Sequence, residues 1–509
     1  MAEDNKTDAP QAVPTDKAPQ QVPPNQESKP KRRFRLRTVL LSSAAALIIG
    51  IGGTLGAGAL YLHNQTAAAN ADVTYVPNSF KDLLKVYSDV KANYYTATSD
   101  KKLVTGAING MLKTLNDPFS QYLAGDDFTS LNTTVSGSFE GIGAEISQGD
   151  GHIQVVSPIK GSPADKAGLK AKDVIMSING KSTQGWSTTK ASSTIRGKKG
   201  TSVTLAIKRG SDTFNITIKR GVVPITTVTG DLSDQNKQVG VITITQFADK
   251  TNTELKKTIT SLRKKGAKRF VIDLRQNPGG LLPQALETAS MFLKNGQRIM
   301  QVQQRTGKPE IFTAGKQYDQ GFKVTEPVTV LVDSGSASAS EIFSAALQES
   351  RQTKLVGEKS FGKGVVQTVT PLTKDSEVKI TTAKWLTPSG GWIQHKGLTP
   401  DVKVSYPAYA SWPLLNTKKT NTAGTVATDI GTAQKILNLQ GAKLTQTAGY
   451  FDDATETAVK NFQTVHKLTV SGKLDAATKT ALNNTVYDLA AKNDPMMTKA
   501  VATVAAETK

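Results

Sequence analysis

A chain of 509 residues has room for about three folded units, and its 38% hydrophobic content excludes wholesale disorder. The absence of Cys excludes disulfides, thiolate zinc sites and a cysteine nucleophile, and four scattered His argue against a histidine-built metal centre. The excess of 63 Lys and Arg over 42 Asp and Glu, net +21, suits an anionic partner such as nucleic acid, lipid headgroups or wall polymer, without choosing among them.

Residues 1–37 open with a Pro-bearing stretch that has no apolar period and reads as a disordered cytoplasmic tail. It ends in Lys29, Lys31, Arg32, Arg33, Arg35 and Arg37, and Val39–Leu62 then runs without a charge, about 36 Å as a helix. A single-pass transmembrane helix is expected over 38–62. The cations on its N-terminal flank put the N-terminus in the cytoplasm and the remainder in the extracellular space, with the cell membrane as a partner and nucleic acid disfavoured. A cleaved signal peptide is the alternative, with Ala67–Ala71 as the cut region. Apolar residues at helical spacing (Phe80, Leu83, Leu84, Tyr87, Val90) predict a helical region over 75–132. Short β-rich runs broken by Gly follow over 133–222. Residues 223–408 alternate strand-like with helical runs, an α/β layer. A Thr- and Ala-bearing linker (409–428), a small helical unit (429–484) and a frayed tail (485–509) complete an α+β multidomain chain.

Three stretches could carry chemistry. In "VTVLVDSGSASASEIFSAAL" (328–347) an apolar strand enters a turn of tiny residues and then a helix. A Ser there sits where unpaired backbone N–H groups can stabilise an oxyanion. In "GEKSFGKGVVQT" (357–368) Lys363 leads into a strand on which Lys363, Val365 and Gln367 share a face. A desolvated Lys loses its proton readily and can serve as general base for a Ser hydroxyl, with Gln367 placed to orient the amine. In "VIDLRQNPGGLL" (271–282) Gly279 and Gly280 end a strand before a helix, where a second oxyanion donor could approach.

Together these stretches resemble the C-terminal processing peptidases, also called tail-specific proteases. "DPFSQYL" (117–123) and "TPSGGWIQHKGLTPDVKV" (387–404) add to a resemblance spanning about residues 75–405. It implies a serine endopeptidase acting near substrate C-termini through a Ser-Lys dyad. Ser338, the middle Ser of 336, 338 and 340, would be the nucleophile, Lys363 the base and Gln367 its orienting partner. Ala339 N–H would be one oxyanion donor and Gly279 or Gly280 the other. "GIGAEI" (141–146) resembles the carboxylate-binding loop of PDZ domains. Gly141, Ile142, Gly143 and Ala144 would then receive the free C-terminus of a protein or peptide substrate, with β-augmentation alongside. Residues 429–484 are similar to the peptidoglycan-binding type 1 fold, although Asp452 stands where that family commonly has Gly. Cell-wall peptidoglycan is the partner this implies. Residues 415–509 should then be dispensable for peptide cleavage. No cofactor or metal is expected, and a homo-oligomer is allowed for.

Rival readings share the same residues. "GEKSFGKG" approaches a phosphate loop but has Gly364 where Ser or Thr would bind Mg²⁺. Ser360 and Lys363 form S-x-x-K, which needs a helix that Gly362 and Gly364 resist. His395 could serve a Ser-His-Asp triad but reads as a surface residue. A wall-anchored PDZ scaffold with a degenerate protease core is the alternative that is not an enzyme.

Overall fold

The computed structural model describes residues 77–507, except 150 and 446. The transmembrane helix expected over 38–62 lies outside them, as does the tail before it. Among the described residues no helix is long and apolar enough to cross a membrane. The longest, Ala476–Lys492, has 17 residues and carries Lys479, Asp488 and Lys492, so it is both short of a bilayer core and charged. The membrane-helix part of the fold class is corrected on this finding, and with it the membrane partner and the single-pass, cytoplasmic-N-terminus location.

Two helices, Asn78–Asn93 and Asp100–Lys113, precede strand β1 (Gln121–Ala124) and the helix Asp126–Ser136. Strands β2 (Ser138–Gly141), β3 (Ala144–Gly149), β4 (His152–Pro158), β5 (Val174–Ile178), β6 (Lys181–Ser182), β7 (Ser202–Arg209), β8 (Asp212–Lys219) and β9 (Gly221–Pro224) follow, with helices Pro163–Lys166 and Thr188–Ile195. β3-β4-β5-β7-β8 form an antiparallel sheet in that order, with β6 beside β5 and β3 at an edge. Alternate residues of these strands (Ile153, Val155; Val203, Leu205, Ile207) close over the Thr188–Ile195 helix as a core of their own. β2 and β9 pair at the neck of this unit.

The third unit holds β10 (Val228–Leu232), β11 (Val239–Ile244), β12 (Arg269–Asp273), β13 (Arg298–Gln304), β14 (Glu310–Thr313), β15 (Val328–Val332), β16 (Leu355–Gly357), β17 (Val365–Thr373), β18 (Ser376–Leu386) and β19 (Val402–Lys403). One sheet runs β10-β11-β12-β15-β16-β19, parallel except for β10. Its central strands are apolar on both sides, so both faces must be covered. Phe270, Ile272, Val328, Val330 and Val332 meet helices Thr251–Lys264, Leu282–Phe292 and Ala339–Arg351. On the other face Val239, Val271, Leu331 and Val356 pack against Met496, Ala500, Val501 and Val504 of the last helix, Pro495–Ala506. Residues read from sequence as a frayed tail therefore form a layer of this unit. The second sheet joins β1, β18, β13 and β14, with β17 also on β18.

Between these pieces, helices Thr428–Leu439, Asp453–Val465 and Ala476–Lys492 enclose Ile430, Ile436, Phe451, Val459, Phe462 and Leu482. An internal repeat sets their turns. Asp452 and Asp475 cap the second and third helices, each accepting the N–H three residues on, from Thr455 and Thr478, at 2.8 Å. Gln434 and Gln463 each accept a Gly N–H, from Gly449 and Gly472, and donate to Thr455 and Thr478 respectively. Asp452 thus has a local reason to replace Gly, because a carboxylate there satisfies helix N–H groups.

Candidate active site

The three stretches singled out in the sequence leave the C-terminal ends of β12, β15 and β16, the edge where parallel sheets gather their functional loops. Ser338 begins the helix after β15 with φ 56°, a conformation costing on the order of 1–3 kcal/mol for a non-glycine residue. Its neighbours in the turn are committed elsewhere. The Ser336 hydroxyl donates to Leu274 O (2.8 Å) and that of Ser340 to Asn277 O (2.9 Å). The Ser338 hydroxyl is buried and has no hydrogen-bond partner among the described residues.

Gly279 lies against this turn: a Cβ there would come 2.8 Å from both Ser338 Cβ and Ala339 N. The Gly279 N–H is occupied, donating to Asn277 Oδ1 at 2.9 Å. Phe247 N–H donates to Gly279 O (2.9 Å). The Gly280 N–H is trans to that carbonyl in the same peptide plane, so it points away from Phe247. A Cβ on Gly280 would fall 2.1 Å from Phe247 O, so the residue must be Gly. Ala339 N–H is the first of the helix, among those left unpaired by helix geometry.

Lys363 is 1% exposed, and its Nζ has no hydrogen-bond partner among the described residues. The Phe119 ring centre lies 5.0 Å from Nζ. Burial pushes its pKa well below the ordinary lysine value, and the like charge of Lys379 adds to this while Glu341 and Asp117 oppose it. Lys379 itself is pushed down to about 8, chiefly by burial. Gln367 is fully buried; its Nε2 donates to Thr381 Oγ1 at 3.4 Å and its Oε1 has no partner among the described residues. Burial works to raise Asp117, but hydrogen bonds from Ser120, Thr381 and Phe119 outweigh it and hold the carboxyl below its usual value. Thr381 N–H in turn donates to Ser120 Oγ (3.0 Å), so "DPFSQYL" braces the strand that holds Gln367.

Two residues were quoted within motifs but given no role. Glu341 is buried, and its carboxylate accepts the N–H groups of Ser338 and Lys363 on one oxygen, each at 2.9 Å. The two backbone nitrogens are therefore no more than twice that distance apart. Asn277 links the glycine turn to the serine turn, accepting Ala337 N–H at its carbonyl (3.0 Å) and Gly279 N–H at its side chain. The S-x-x-E spacing from Ser338 to Glu341 is a capping signature that could have flagged the first. Asn277 carries no comparable signal, because apart from Gly279 its partners Ile244, Ala337 and Ser340 are distant in sequence.

The rival sites fare differently. Residues 358–364 are not helical, and the Ser360 hydroxyl is spent on Glu341 (2.6 Å). His395 is exposed, with its backbone N–H on Gly362 O. In the first β unit, Gly143 has φ 77° and a Cβ there would meet Ser162 Cβ at 2.5 Å. The carbonyls of Ile142 and Gly143 are taken by Ala164 N–H (2.7 Å) and the Ser162 hydroxyl (2.9 Å). Gly141 pairs with Gly221 at the neck, and Ala144 opens edge strand β3.

Comparison with known proteins gives the family. The model of Peptidase family S41 matches residues 238–404, that of the PDZ domain 132–208, that of the Activating protease CtpB N-terminal domain 47–127, and a peptidoglycan binding domain model 427–482. The Carboxy-terminal processing protease CtpA of Bacillus subtilis (strain 168) is 43% identical over 94% of this chain and 100% of its own length. The "Probable CtpA-like serine protease" of Staphylococcus saprophyticus is 35% identical over 92% of each. Among solved structures, the photosystem II D1 C-terminal processing protease is similar at 30% identity, covering 68% of this chain and 92% of its own, with a TM-score of 0.39. The chain is a serine-type endopeptidase and belongs to the C-terminal processing proteases of peptidase family S41, with PDZ and peptidoglycan-binding-like domains.

Proposed function

We propose that the endopeptidase acts through Ser338 as nucleophile, Lys363 as general base and Gln367 as the residue that orients the amine. Neutral Lys363 Nζ takes the Ser338 proton as Oγ attacks the scissile carbonyl. The resulting ammonium gives that proton to the departing amine, and water then releases the acyl group by the same relay. Ala339 N–H and Gly280 N–H stabilise the oxyanion; Gly279 N–H is already committed to Asn277. One observation carries this reading. Ser338 Oγ, Lys363 Nζ and Gln367 Oε1 are buried without partners among the described residues, whereas Ser336, Ser340 and Ser360 are engaged. An unmade hydrogen bond costs about 1–3 kcal/mol per buried group, which a bound substrate can relieve.

The loop Gly141–Ala144 is the receiver for a substrate's C-terminal carboxylate, with the substrate added to edge strand β3; the engaged carbonyls of Ile142 and Gly143 support this. The repeat-built unit of residues 429–484 is the segment that binds cell-wall peptidoglycan. The units divide at 75–132, 133–222 and 223–408, the last completed by the C-terminal helix.

The test is hydrolysis of an unstructured peptide with an apolar C-terminus. Ser338→Ala and Lys363→Ala are each expected to lower kcat/KM by at least about 10³-fold, and Ser360→Ala only in part. Activity surviving in Ser338→Ala, or abolished only in Ser360→Ala, would refute the assignment.

A further inference from the structure

The turn bearing Ser338 follows β15, and the loop bearing Lys363 follows β16. One carboxylate joins them. Glu341 Oε2 accepts the backbone N–H of Ser338 and of Lys363, while Oε1 accepts Gly362 N–H (2.7 Å) and the Ser360 hydroxyl (2.6 Å). Two donors come to each oxygen. We propose that Glu341 is a positioning residue of the peptidase, whose carboxylate sets the spacing and orientation of the segments that carry Ser338 and Lys363. The inference rests on the reading of those two residues given above.

A stabilising role alone is a poor account of this group. Glu341 is fully buried, and the cost of taking a carboxylate out of water offsets much of what its hydrogen bonds contribute, so the burial of this anion is weak evidence for a purely stabilising role. Its four donors also all lie in the two segments under discussion. Burial pushes the Glu341 carboxyl up from its ordinary value, and the hydrogen bonds from Ser360, Lys363, Gly362 and Ser338 oppose that rise. The first turn of the Ala339–Arg351 helix further favours the anion. Three charged groups act on Lys363: Lys379 on β18, Asp117 ahead of β1, and Glu341 itself, which favours the ammonium. Replacing Glu341 by a neutral side chain should therefore do two separable things: loosen the spacing, and let Lys363 lose its proton at lower pH.

The experiment compares Glu341→Gln and Glu341→Asp with the full-length protein in steady-state hydrolysis across pH, with thermal unfolding as a check on folding. In Glu341→Gln the amide presents N–H to two of the four donors. Its kcat is expected to fall about 100-fold or more with KM within about threefold, the scale of an ångström-sized misplacement. The acid limb of its remaining activity should move to lower pH. Glu341→Asp keeps the charge but withdraws it by one methylene; a similar loss in kcat is expected, with the acid limb in place. A folded Glu341→Gln with near-normal kcat would overturn the proposal. So would unfolding of both variants, which would make the carboxylate a requirement of the fold. Loss in Ser338→Ala beside a fully active Glu341→Gln overturns this inference alone, whereas activity persisting in Ser338→Ala overturns the nucleophile reading and this inference with it.

Discussion

Lys379 sits two residues along β18 from Thr381, the residue that holds the Gln367 amide, and like Lys363 it is buried. An ammonium brought into the same poorly solvated region disfavours protonation of Lys363. With Lys379 pushed down to about 8, it is still charged at neutral pH and helps keep the proposed base deprotonated. In Lys379→Met that repulsion is gone, so Lys363 should hold its proton to higher pH. The acid limb of kcat/KM is expected to move upward, with activity at pH 7 reduced severalfold and alkaline activity retained. This is the opposite direction to Glu341→Gln, and an unmoved limb in Lys379→Met would remove Lys379 from the tuning of the site. The residues that do this tuning are the ones hardest to see in a sequence. Ser338, Lys363, Gln367 and the glycine pair act within compact motifs, whereas Lys379, Asp117 and the Asn277 carbonyl act across strand pairings and turn contacts that join segments far apart in the chain.

Among the elements, the last helix carries more than its position suggests. "PMMTKAVATVAA" puts Met496, Ala500, Val501 and Val504 on one face, and that face covers the side of the parallel sheet opposite the Ala339–Arg351 helix. Arg275, next to the glycine turn, pairs with Asp273 and with Asp494 at the start of this helix, each at about 2.7–2.8 Å. Asp333, in the serine turn, accepts the Gln276 N–H (2.9 Å) and the Tyr406 hydroxyl (3.0 Å). The helix therefore lies behind the loops that form the site. Removing residues 495–507 would bare Val239, Val271, Leu331 and Val356, and the expected result is a lower Tm and loss of peptidase activity. Val501→Asp should give a milder version, destabilising by about 2–4 kcal/mol through an unpaired buried charge. Unchanged unfolding and full cleavage after the truncation would show the layer to be dispensable. The expectation that 415–509 can be deleted without impairing cleavage overlooked this helix. Its short, Ala-rich pattern resembles a frayed end until the uncovered sheet face is known.

Across the whole molecule, the β-rich unit and the peptidase each have their own core, joined at the β2–β9 neck. Gly141 lies in that neck and also opens the loop proposed to receive the substrate carboxylate. On the proposed reading, a bound C-terminus would sit beside the connection between the two units. Full-length Ser338→Ala, which should bind without cleaving, is expected to hold an unstructured peptide with a free carboxylate at least about tenfold more tightly than its C-terminal amide, because charge-assisted bonds to backbone N–H groups favour the anion. Equal affinity for the two peptides, measured by titration calorimetry, would remove the loop from substrate choice.

By itself the sequence determined the order of the units, the family and the short list of chemical groups, because each is written in contiguous residues: Gly-rich loops, apolar strands ending in tiny residues, a Lys between glycines. Tertiary structure alone decided which serine hydroxyl is free among the described residues, since those of Ser336 and Ser340 reach distant carbonyls and that of Ser338 does not. It likewise decided which glycine N–H is open, what ties the nucleophile segment to the base segment, and what covers the second face of the sheet. Apart from the local bonds of Gly279 to Asn277 and of Ser338 to Glu341, these are hydrogen-bond and packing pairings between residues tens to hundreds of positions apart, and local pattern holds no record of a partner that only folding brings within reach.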